Sequence, residues 1–210
     1  DRNRVMQRSK FKIQKSFLHF AFCILHCALV FACAAKAPPP VPAAPRYPEF
    51  VYPAVPPALK YAPGAERIEY GWRYLQADDL RSAEREFAAV SRTSPALYPA
   101  ETGAGYVELA RQDYEDAIER FDRSLAAAPQ YVPALIGRGQ ALLGLMREAE
   151  ALAAFEAVLA VDPSLTDVRR RVDVLRFRSA QEVVERLIVE FEAALAPKDW
   201  RARLSARMKG

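Results

Sequence analysis

The side chains able to act as nucleophiles, general bases or zinc ligands lie almost entirely at the N-terminal end of this 210-residue chain. Both histidines, His19 and His26, and all three cysteines, Cys23, Cys27 and Cys33, precede residue 34. Residues 34–210 therefore have no Ser-His-Asp or Cys-His nucleophilic site and no usual zinc ligand set. The glycines come singly, so the chain has no Gly-rich phosphate loop either.

Carboxylates are the remaining candidates for catalysis. Two acidic clusters stand out in the sequence, Asp78-Asp79 and Asp113-Glu115-Asp116. Paired carboxylates can act as general acid and general base. Both clusters fall between predicted helices, however, where acidic side chains cap and stabilise the start of a helix. We therefore expect capping residues here, and we predict that the chain is not an enzyme and uses no cofactor or metal.

The elements that position these side chains follow a repeat of 34 residues. Four residue types recur at that interval in phase, namely Gly71, Gly105 and Gly139; Ala83, Ala117 and Ala151; Phe87, Phe121 and Phe155; and Pro95, Pro129 and Pro163. Four coincident series indicate a structural repeat. Each unit predicts two helices, residues 66–76 and 80–92 in the first copy.

Each recurring residue has a predicted packing role within its unit. Gly71 lets the second helix come close, and Ala83 on that helix sits against it. Phe87 lies four residues after the alanine on the same helix face. We expect this ring to fill the space between one unit and the next. Pro95 ends the second helix and starts the connection.

The pattern resembles the tetratricopeptide repeat family, which combines small and aromatic residues in a 34-residue helix-turn-helix with a late proline. The first copy matches best, with Tyr70, Gly71, Tyr74, Ala83, Phe87 and Pro95 in the family's positions. The second copy has Ala104 and Glu108 where Leu and Tyr are usual, and the third has Arg138 in the Leu position. The resemblance implies an all-α fold, with antiparallel helix pairs stacked in a short right-handed superhelix. About three units are expected, at residues 64–97, 98–131 and 132–165.

The residues after Pro163 predict a degenerate repeat or a pair of capping helices, at about 166–178 and 180–195. Asp173 stands where a fourth glycine would be. The predicted inward residues are Val168, Val172, Val174 or Phe177, and Leu175, then Val183, Val184, Leu187, Val189, Phe191 and Leu195. Residues 197–210 form a basic tail. The dense basic cluster at Arg169-Arg170-Arg171, Arg176 and Arg178 predicts a solvated face paired to neighbouring acids, with an acidic partner or anionic headgroups as the alternative.

The resemblance also implies a binding site, because in this family the first helices of successive units line a concave groove. The groove residues implied here are Ile68, Trp72, Leu75, Thr102, Tyr106, Leu109, Ile136, Gln140, Leu143, Arg170, Arg171 and Val174. We expect them to bind a partner peptide or helix, anchored by Trp72 and Tyr106. The alternative is that both anchors pack against the preceding Pro-rich segment. Family members that grip acidic chaperone termini use Lys, Asn and Arg at positions held here by Ile68, Trp72, Gly103, Pro133 and Gly137, so that activity is not expected.

The segment before the repeats is a predicted linker, residues 34–63. Residues 37–63 include ten prolines, which disfavour helix and sheet and predict an extended, semi-stiff tether. The aromatic cluster of Tyr47, Phe50, Val51 and Tyr52 is apolar enough to dock on the repeats or on a partner. The sequence leaves both outcomes open.

Residues 1–33 predict a targeting segment. A basic stretch precedes the apolar run 17–32, which suits a signal peptide better than a membrane span of roughly 20 residues. The run ends in Val30-Phe31-Ala32-Cys33, which resembles the lipobox of bacterial lipoproteins apart from Phe31 and implies lipidation of Cys33. The alternatives are an intact inner-membrane anchor, cleavage without lipid, or a mistranslated extension. The long basic stretch also suggests Met6 as the true start. The basic N-terminal side places the repeats outside the cytoplasm in both leading interpretations.

The charge balance argues against nucleic acid as a partner. The formal net charge of the chain is +4, but six of its 30 basic residues and only one acidic residue precede Cys33. The rest of the chain therefore has a net charge of −1. Residues 64–163 carry a net charge of −7 and residues 164–210 a net charge of +4. The two ends of the folded part therefore have opposite charge.

These features predict an exported, lipid-anchored scaffold that binds other proteins in the bacterial cell envelope. The resemblance suggests a role in assembling outer-membrane, pilus or wall machinery, and Ala34 after the cysteine is compatible with outer-membrane sorting. One alternative is an inner-membrane, signal-anchored adaptor of the same fold. Another is a carboxylate-dependent wall-glycan hydrolase that uses Asp113 and Asp116.

Overall fold

The computed structural model describes residue 39, residues 41–195 and residues 207–208. The predicted targeting segment with Cys33, and most of the predicted basic tail, lie outside these residues. The described part is all-helical and without strands, which confirms the predicted fold class. Its seven α-helices are α1 (Ala65–Gln76), α2 (Leu80–Thr93), α3 (Pro99–Arg111), α4 (Tyr114–Ala127), α5 (Val132–Gly144), α6 (Glu148–Val161) and α7 (Thr166–Leu195).

The helices form stacked pairs. Helix α1 packs on α2, α3 on α4 and α5 on α6, each pair joined by a turn of two or three residues. Such short connections require the two helices of a pair to be antiparallel. The second helix of each pair contacts the first helix of the next, and the first helices α1, α3 and α5 also contact one another in order. These three helices therefore share one face of the stack.

The repeat phenylalanine explains the repeat glycine. A Cβ atom added to Gly71 would lie 2.7 Å from the Phe87 ring, and one added to Gly103 in the next unit would lie 2.2 Å from the same ring. The ring is thus enclosed between two units, as predicted. The side-chain atoms nearest to a Cβ atom at Gly71 belong to Phe87, so this glycine makes room for the ring, and Ala83 is fully buried in the core.

The same arrangement closes the second interface and changes at the end of the stack. Phe121 lies between Gly105 and Gly137, where added Cβ atoms would be 2.7 Å and 2.3 Å from its ring. The position 34 residues after Gly137 is Arg171, whose guanidinium lies 5.9 Å from the Phe155 ring centroid. A cation over the ring face is favourable. The last phenylalanine is therefore covered by an arginine instead of a further close-packed helix backbone.

The acidic clusters occupy the turns between paired helices. Asp79 caps α2, since its Oδ1 accepts a hydrogen bond from the Ser82 backbone N–H at 3.0 Å. Asp113 holds the same position before α4, but its side chain makes no cap hydrogen bond. Both residues hold the predicted N-cap position, and a capping hydrogen bond forms at Asp79 but not at Asp113. Glu115 and Asp116 are exposed in the first turn of α4.

The predicted pair of capping helices is wrong, because α7 is one helix of 30 residues. The expected break between Arg178 and Ala180 contains only Ser179, and no glycine or proline interrupts the helix there. The first part of α7 packs on α6 as predicted, with Val168, Val172 and Leu175 buried.

The later part of α7 does not turn inward. Val174 and Phe177 are 51% and 71% exposed, contrary to the expectation that one of them is buried. The residues predicted to pack in a second capping helix are between 43% and 65% exposed, namely Val183, Val184, Leu187, Val189 and Phe191. An unbroken helix carries them past the last unit, so no repeat surface is in reach to cover them.

A candidate binding groove

Tyr106 on α3 lies at the centre of the face formed by α1, α3 and α5. It is fully buried, with its ring centroid 5.8 Å from that of Trp72 on α1 and 5.2 Å from that of Phe121 on α4. Its hydroxyl donates to the Pro133 carbonyl at 2.8 Å, which links α3 to the start of α5. Burial raises the pKa of this hydroxyl, and a hydrogen bond from the Val51 backbone opposes the rise in part.

Residues 46–55 of the Pro-rich segment, called the strap from here on, lie in this groove. The Phe50 ring is 5.0 Å from the Tyr106 ring, and the Tyr52 ring is 5.5 Å from the Trp72 ring. Tyr47 stacks on Phe50 at 4.8 Å with the ring planes nearly parallel. Offset and tilted aromatic pairs at these distances are favourable. The strap therefore presents three aromatic side chains to the repeats.

Hydrogen bonds hold the start of the strap at the end of α1. The Arg46 backbone N–H donates to the Gln76 carbonyl at 2.9 Å. The Gln76 side-chain amide then pairs with the backbone of Tyr47, accepting from its N–H and donating to its carbonyl, each at 3.0 Å. The Tyr47 hydroxyl donates to Asp78 Oδ1 at 2.7 Å. The groove recognises this part of the strap through its backbone as well as its ring.

Two further backbone contacts bind the strap to the third unit. Gln140 Nε2 on α5 donates to the Glu49 carbonyl at 3.1 Å, and the Tyr131 hydroxyl donates to the Ala54 carbonyl at 2.8 Å. Burial is the main cause that raises the pKa of Tyr131, and nearby tyrosines add to it. A ten-residue segment is thus held from the first unit to the third by side chains that bind its carbonyl oxygens.

The predicted groove residues differ in where the structure places them. Trp72, Tyr106 and Gln140 contact the strap directly, so the alternative in which the aromatic anchors pack against the Pro-rich segment is confirmed. The aromatic cluster of the linker docks on the repeats, and residues 46–55 are not a free tether.

A second group of predicted groove residues belongs to the apolar core on which the strap packs. Ile68 and Leu75 are fully buried and Leu109 is 7% exposed, in a core cluster that also contacts Phe50 and Val51. Ile136 and the half-buried Leu143 belong to the neighbouring cluster around Phe155. These side chains support the groove from below.

Thr102 is wrongly predicted as a groove residue. It is fully buried, and its hydroxyl lies 2.7 Å from the Ser124 hydroxyl on α4. It therefore faces the partner helix of its own unit, on the same side of α3 as Gly105. Projection along the helix from Gly105 predicts that Thr102 faces the groove, whereas its side chain lies at the interface between α3 and α4.

The groove stays open at its C-terminal end, where a cavity of about 590 Å³ lies beside the strap. Ile136, Gln140, Arg170 and Arg171 line it, together with strap residues 48–51. Arg170 pairs with Asp167 at 2.7 Å. The solvated and paired interpretation of the basic cluster is confirmed for three of its members, since Arg176 and Arg178 also form ion pairs, with Glu156 and Glu148. The remaining predicted member of the groove, Val174, is half-exposed.

Comparison with known proteins agrees with this architecture. Residues 108–170 match the family model of the tetratricopeptide repeat. The first TPR of Spaghetti (RPAP3) bound to the HSP90 peptide SRMEEVD superposes with a TM-score of 0.54 at 18% identity, over 56% of this chain and 95% of that one. The Arabidopsis OM64 TPR domain gives 0.52 at 18% identity, over 55% and 95%. The TPR2B domain of yeast Sti1, in its pHsp70 complex, gives 0.50 at 18% identity, over 57% and 97%.

Residues 65–161 therefore form a domain with the tetratricopeptide repeat fold, called the TPR domain below, and the family model matches residues 108–170. The structural relatives share its fold at identities too low to carry a function. No curated protein sequence matches the chain.

The strap contacts include residues of this TPR domain that the repeat pattern did not indicate. Gln76, Asp78 and Tyr131 bind the strap, yet the position 34 residues after Gln76 is Ala110. Their roles depend on one docked segment and do not repeat from unit to unit. A periodic search therefore gives no signal for them.

The TPR domain offers no candidate catalytic centre among its described residues. They contain no group of three or more potential metal ligands. The candidates for hydrolysis are Asp113, in the turn before α4, and Asp116, in the first turn of that helix, and both are exposed. In the described part of the chain, no helix is long and apolar enough to cross a membrane.

Proposed function

We propose that this chain is an exported, membrane-tethered scaffold of the bacterial cell envelope, whose TPR groove binds a non-helical segment of a partner protein. One observation carries the proposal, namely that the groove already holds ten residues of non-helical chain, with a turn at residues 48–49, through aromatic contacts and hydrogen bonds to the backbone. A surface with these contacts has the chemistry that peptide binding needs.

The ligand of this groove is apolar and aromatic in character. The HSP90 peptide in the Spaghetti complex, SRMEEVD, is acidic. The groove described here instead presents Trp72 and Tyr106 at its centre. Of the two cations at its end, Arg170 is paired with Asp167 and Arg171 lies over the Phe155 ring. Binding of an acidic chaperone terminus is therefore not part of the proposal.

The envelope location rests on the sequence of residues 1–33. The lipobox-like run that ends at Cys33 supports a lipid anchor, with outer-membrane sorting suggested by Ala34. The alternative is an inner-membrane anchor on the same adaptor, and both place the repeats outside the cytoplasm. Assembly of outer-membrane, pilus or wall machinery is the corresponding task.

Two measurements test this function. Full-length protein is expressed in a bacterial host, and mass spectrometry of the mature N-terminus together with membrane fractionation is repeated for Cys33→Ser. Lipid on Cys33, and loss of attachment in the variant, are expected; an unmodified N-terminus with unchanged attachment supports the inner-membrane alternative.

Partner capture tests the groove itself. Crosslinking in intact cells compares the wild type with Trp72→Ala plus Gln140→Ala, and uses Arg147→Ala in an exposed turn as the matched control. We expect a specific crosslinked protein that is lost only in the groove variant. Equal crosslinking in all three proteins would contradict binding through the groove.

A further inference from the structure

We infer that the strap is the resident ligand of the groove, and that the partner is a non-helical aromatic segment of a second polypeptide that replaces the strap. This inference rests on the proposed function, because it specifies the ligand class and the regulation of the same site. The strap thereby reports what the groove recognises. Aromatic rings at positions 47, 50 and 52 fill the apolar sites, and the carbonyls of residues 47, 49 and 54 accept the hydrogen bonds.

The contacts of the strap are transferable to another chain. Three of them, from Gln76, Tyr131 and Gln140, end on backbone carbonyls, which every polypeptide carries. The remaining selectivity comes from the pockets beside Trp72 and Tyr106, which accept flat aromatic side chains. A second segment with rings at the same spacing would make the same interactions.

The strap is placed so that it can leave while the repeats stay folded. Much of its surface is solvent-exposed, including Tyr52 at 39% and the ion pair of Arg46 with Asp78 at 3.9 Å. The chain is fastened again just before α1, where the Ser94 hydroxyl donates to the Pro63 carbonyl at 2.7 Å. Residues 56–62 lie between the strap and this fixed point, and Pro57–Leu59 in that stretch form only a single helical turn. Displacement of the strap therefore leaves the seven helices and this fastening in place.

Covalent linkage makes the strap a strong competitor. A segment joined by a short connection acts at an effective concentration in the millimolar range. A free peptide with identical contacts must therefore compete against the strap. Its apparent association constant equals the intrinsic constant multiplied by the fraction of molecules in which the groove is open. The wild-type groove selects partners that bind better than the strap or that are themselves held nearby.

Replacement of the strap also changes the length of the tether. With the strap docked, residues 34–45 separate the proposed lipid site from the domain, which corresponds to about 40 Å of extended chain at about 3.1 Å per residue. With the strap released and residues 56–63 still in place, residues 34–55 do so, which corresponds to about 70 Å. Partner binding and reach from the membrane are thus coupled through one segment.

A synthetic peptide of residues 45–56, labelled with fluorescein, is the probe for this inference. It is titrated against the full chain in detergent micelles, as wild type and as the open variant Phe50→Ala plus Tyr52→Ala. Tyr61→Ala is the matched control, because Tyr61 is 91% exposed and outside the strap. An internal competitor at about 1 mM closes about 99% of the grooves when the peptide itself binds at about 10 μM, so at that affinity we expect the open variant to bind the peptide about 100-fold more tightly than the wild type and the control. A peptide with alanine at positions 50 and 52 should not bind.

Two results would overturn the inference, namely equal binding by the wild type and the open variant, or no binding by an open variant that keeps its helical circular dichroism. If the open variant unfolds, amide hydrogen exchange of the wild type decides instead. Amides of residues 46 and 47, which are bonded to Gln76, should exchange faster than those of α3 by local opening. Exchange of both only through global unfolding would contradict a displaceable strap.

The peptide titration is independent of the proposed function. It needs no partner and no membrane, so it succeeds even if crosslinking in cells finds nothing, and in that case only the proposed function fails. A partner lost in the groove variant, combined with no peptide binding to the open variant, would leave the proposed function standing and remove the strap as its ligand template.

Discussion

The Phe50 ring lies 5.0 Å from the Tyr106 ring, which joins a Pro-rich segment to the centre of the repeat stack. Tyr106 in turn contacts Phe121, the ring enclosed between the second and third units. One continuous line of aromatic contacts therefore runs from the groove to the packing between units. Stability of the stack and occupancy of the groove are physically connected through Tyr106.

Truncation of the central phenylalanine should test the stacking. Phe121→Ala removes a fully buried ring from a site between two helix backbones, so we expect a loss of about 3 to 5 kcal/mol in the free energy of unfolding. Urea denaturation followed by circular dichroism measures it. Val189→Ala, at a position that is 64% exposed on α7, is the control and should change stability by less than about 0.5 kcal/mol. Similar losses in both variants would contradict the assignment of Phe121 to the core.

Gly103 and Gly137 lie so close to the phenylalanine ring of the preceding unit that even a methyl side chain should destabilise the fold. Gly103→Ala places a Cβ atom 2.2 Å from the Phe87 ring, and overpacking of this kind costs about 1 to 3 kcal/mol. The usual gain from alanine in a helix, about 1 kcal/mol, should not offset it. Adding Phe87→Leu makes room and should restore part of the loss, so the two changes are not additive. Additive losses in a double-mutant cycle would show that the two residues do not share the site.

The two turns offer a matched pair of capping variants. Asp79→Ala removes a side-chain cap of α2 and should cost about 1 kcal/mol. Asp113→Ala removes a carboxylate that makes no cap hydrogen bond, and the change should be clearly smaller. Thermal unfolding of the two variants measures the difference. A larger loss for Asp113→Ala would contradict the geometry of the turns.

The buried Tyr106 hydroxyl predicts a specific loss of stability in alkali. Its pKa is raised in the folded state by burial, so above the unfolded value near 10 only the unfolded chain releases this proton. The contribution of this hydroxyl to the free energy of unfolding is therefore constant below pH 10. Above pH 10 it falls by about 1.4 kcal/mol per pH unit.

Tyr106→Phe isolates this contribution. At pH 7 the variant should be less stable by about 1 kcal/mol, because the Pro133 carbonyl loses its donor. Above pH 10 the difference between wild type and variant should shrink and then change sign. A difference that stays constant from pH 7 to pH 12 in denaturant titrations would show that the hydroxyl is accessible to water.

The parts of the fold that repeat were predictable from sequence, and the parts that occur once were not. Gly71, Phe87 and Pro95 belong to series of constant spacing, so one local rule placed three helix pairs and their boundaries. Gly103 and Gly137 recur at the same interval, but the repeat pattern does not predict that they pack against Phe87 and Phe121, because Gly71 and Gly105 already account for one small residue per unit. Pattern alone does not show that a ring needs clearance on both sides.

The groove and the C-terminal helix depended on contacts far apart in the sequence. Gln140 and Glu49 are 91 positions apart, and no periodicity links them. The Pro-rich composition predicted an extended tether, whereas residues 46–55 dock on the repeats with a turn at residues 48–49. The sequence left open whether a partner or the repeats would hold the aromatic cluster. Apolar residues such as Val184 and Phe191 suggested a second buried helix, yet burial requires a surface within reach, and the continuous helix α7 carries them beyond the last unit.

Nuclear Overhauser contacts between Phe50 and Tyr106 test the central claim most directly, that the groove holds a non-helical aromatic segment. With ring centroids 5.0 Å apart, full-length protein with labelled Phe and Tyr should give cross-peaks between the two rings, assigned by their disappearance in Phe50→Leu. We predict these cross-peaks together with Phe50 shifts displaced from random-coil values. Absence of the cross-peaks, with Phe50 at random-coil shifts, would contradict the account.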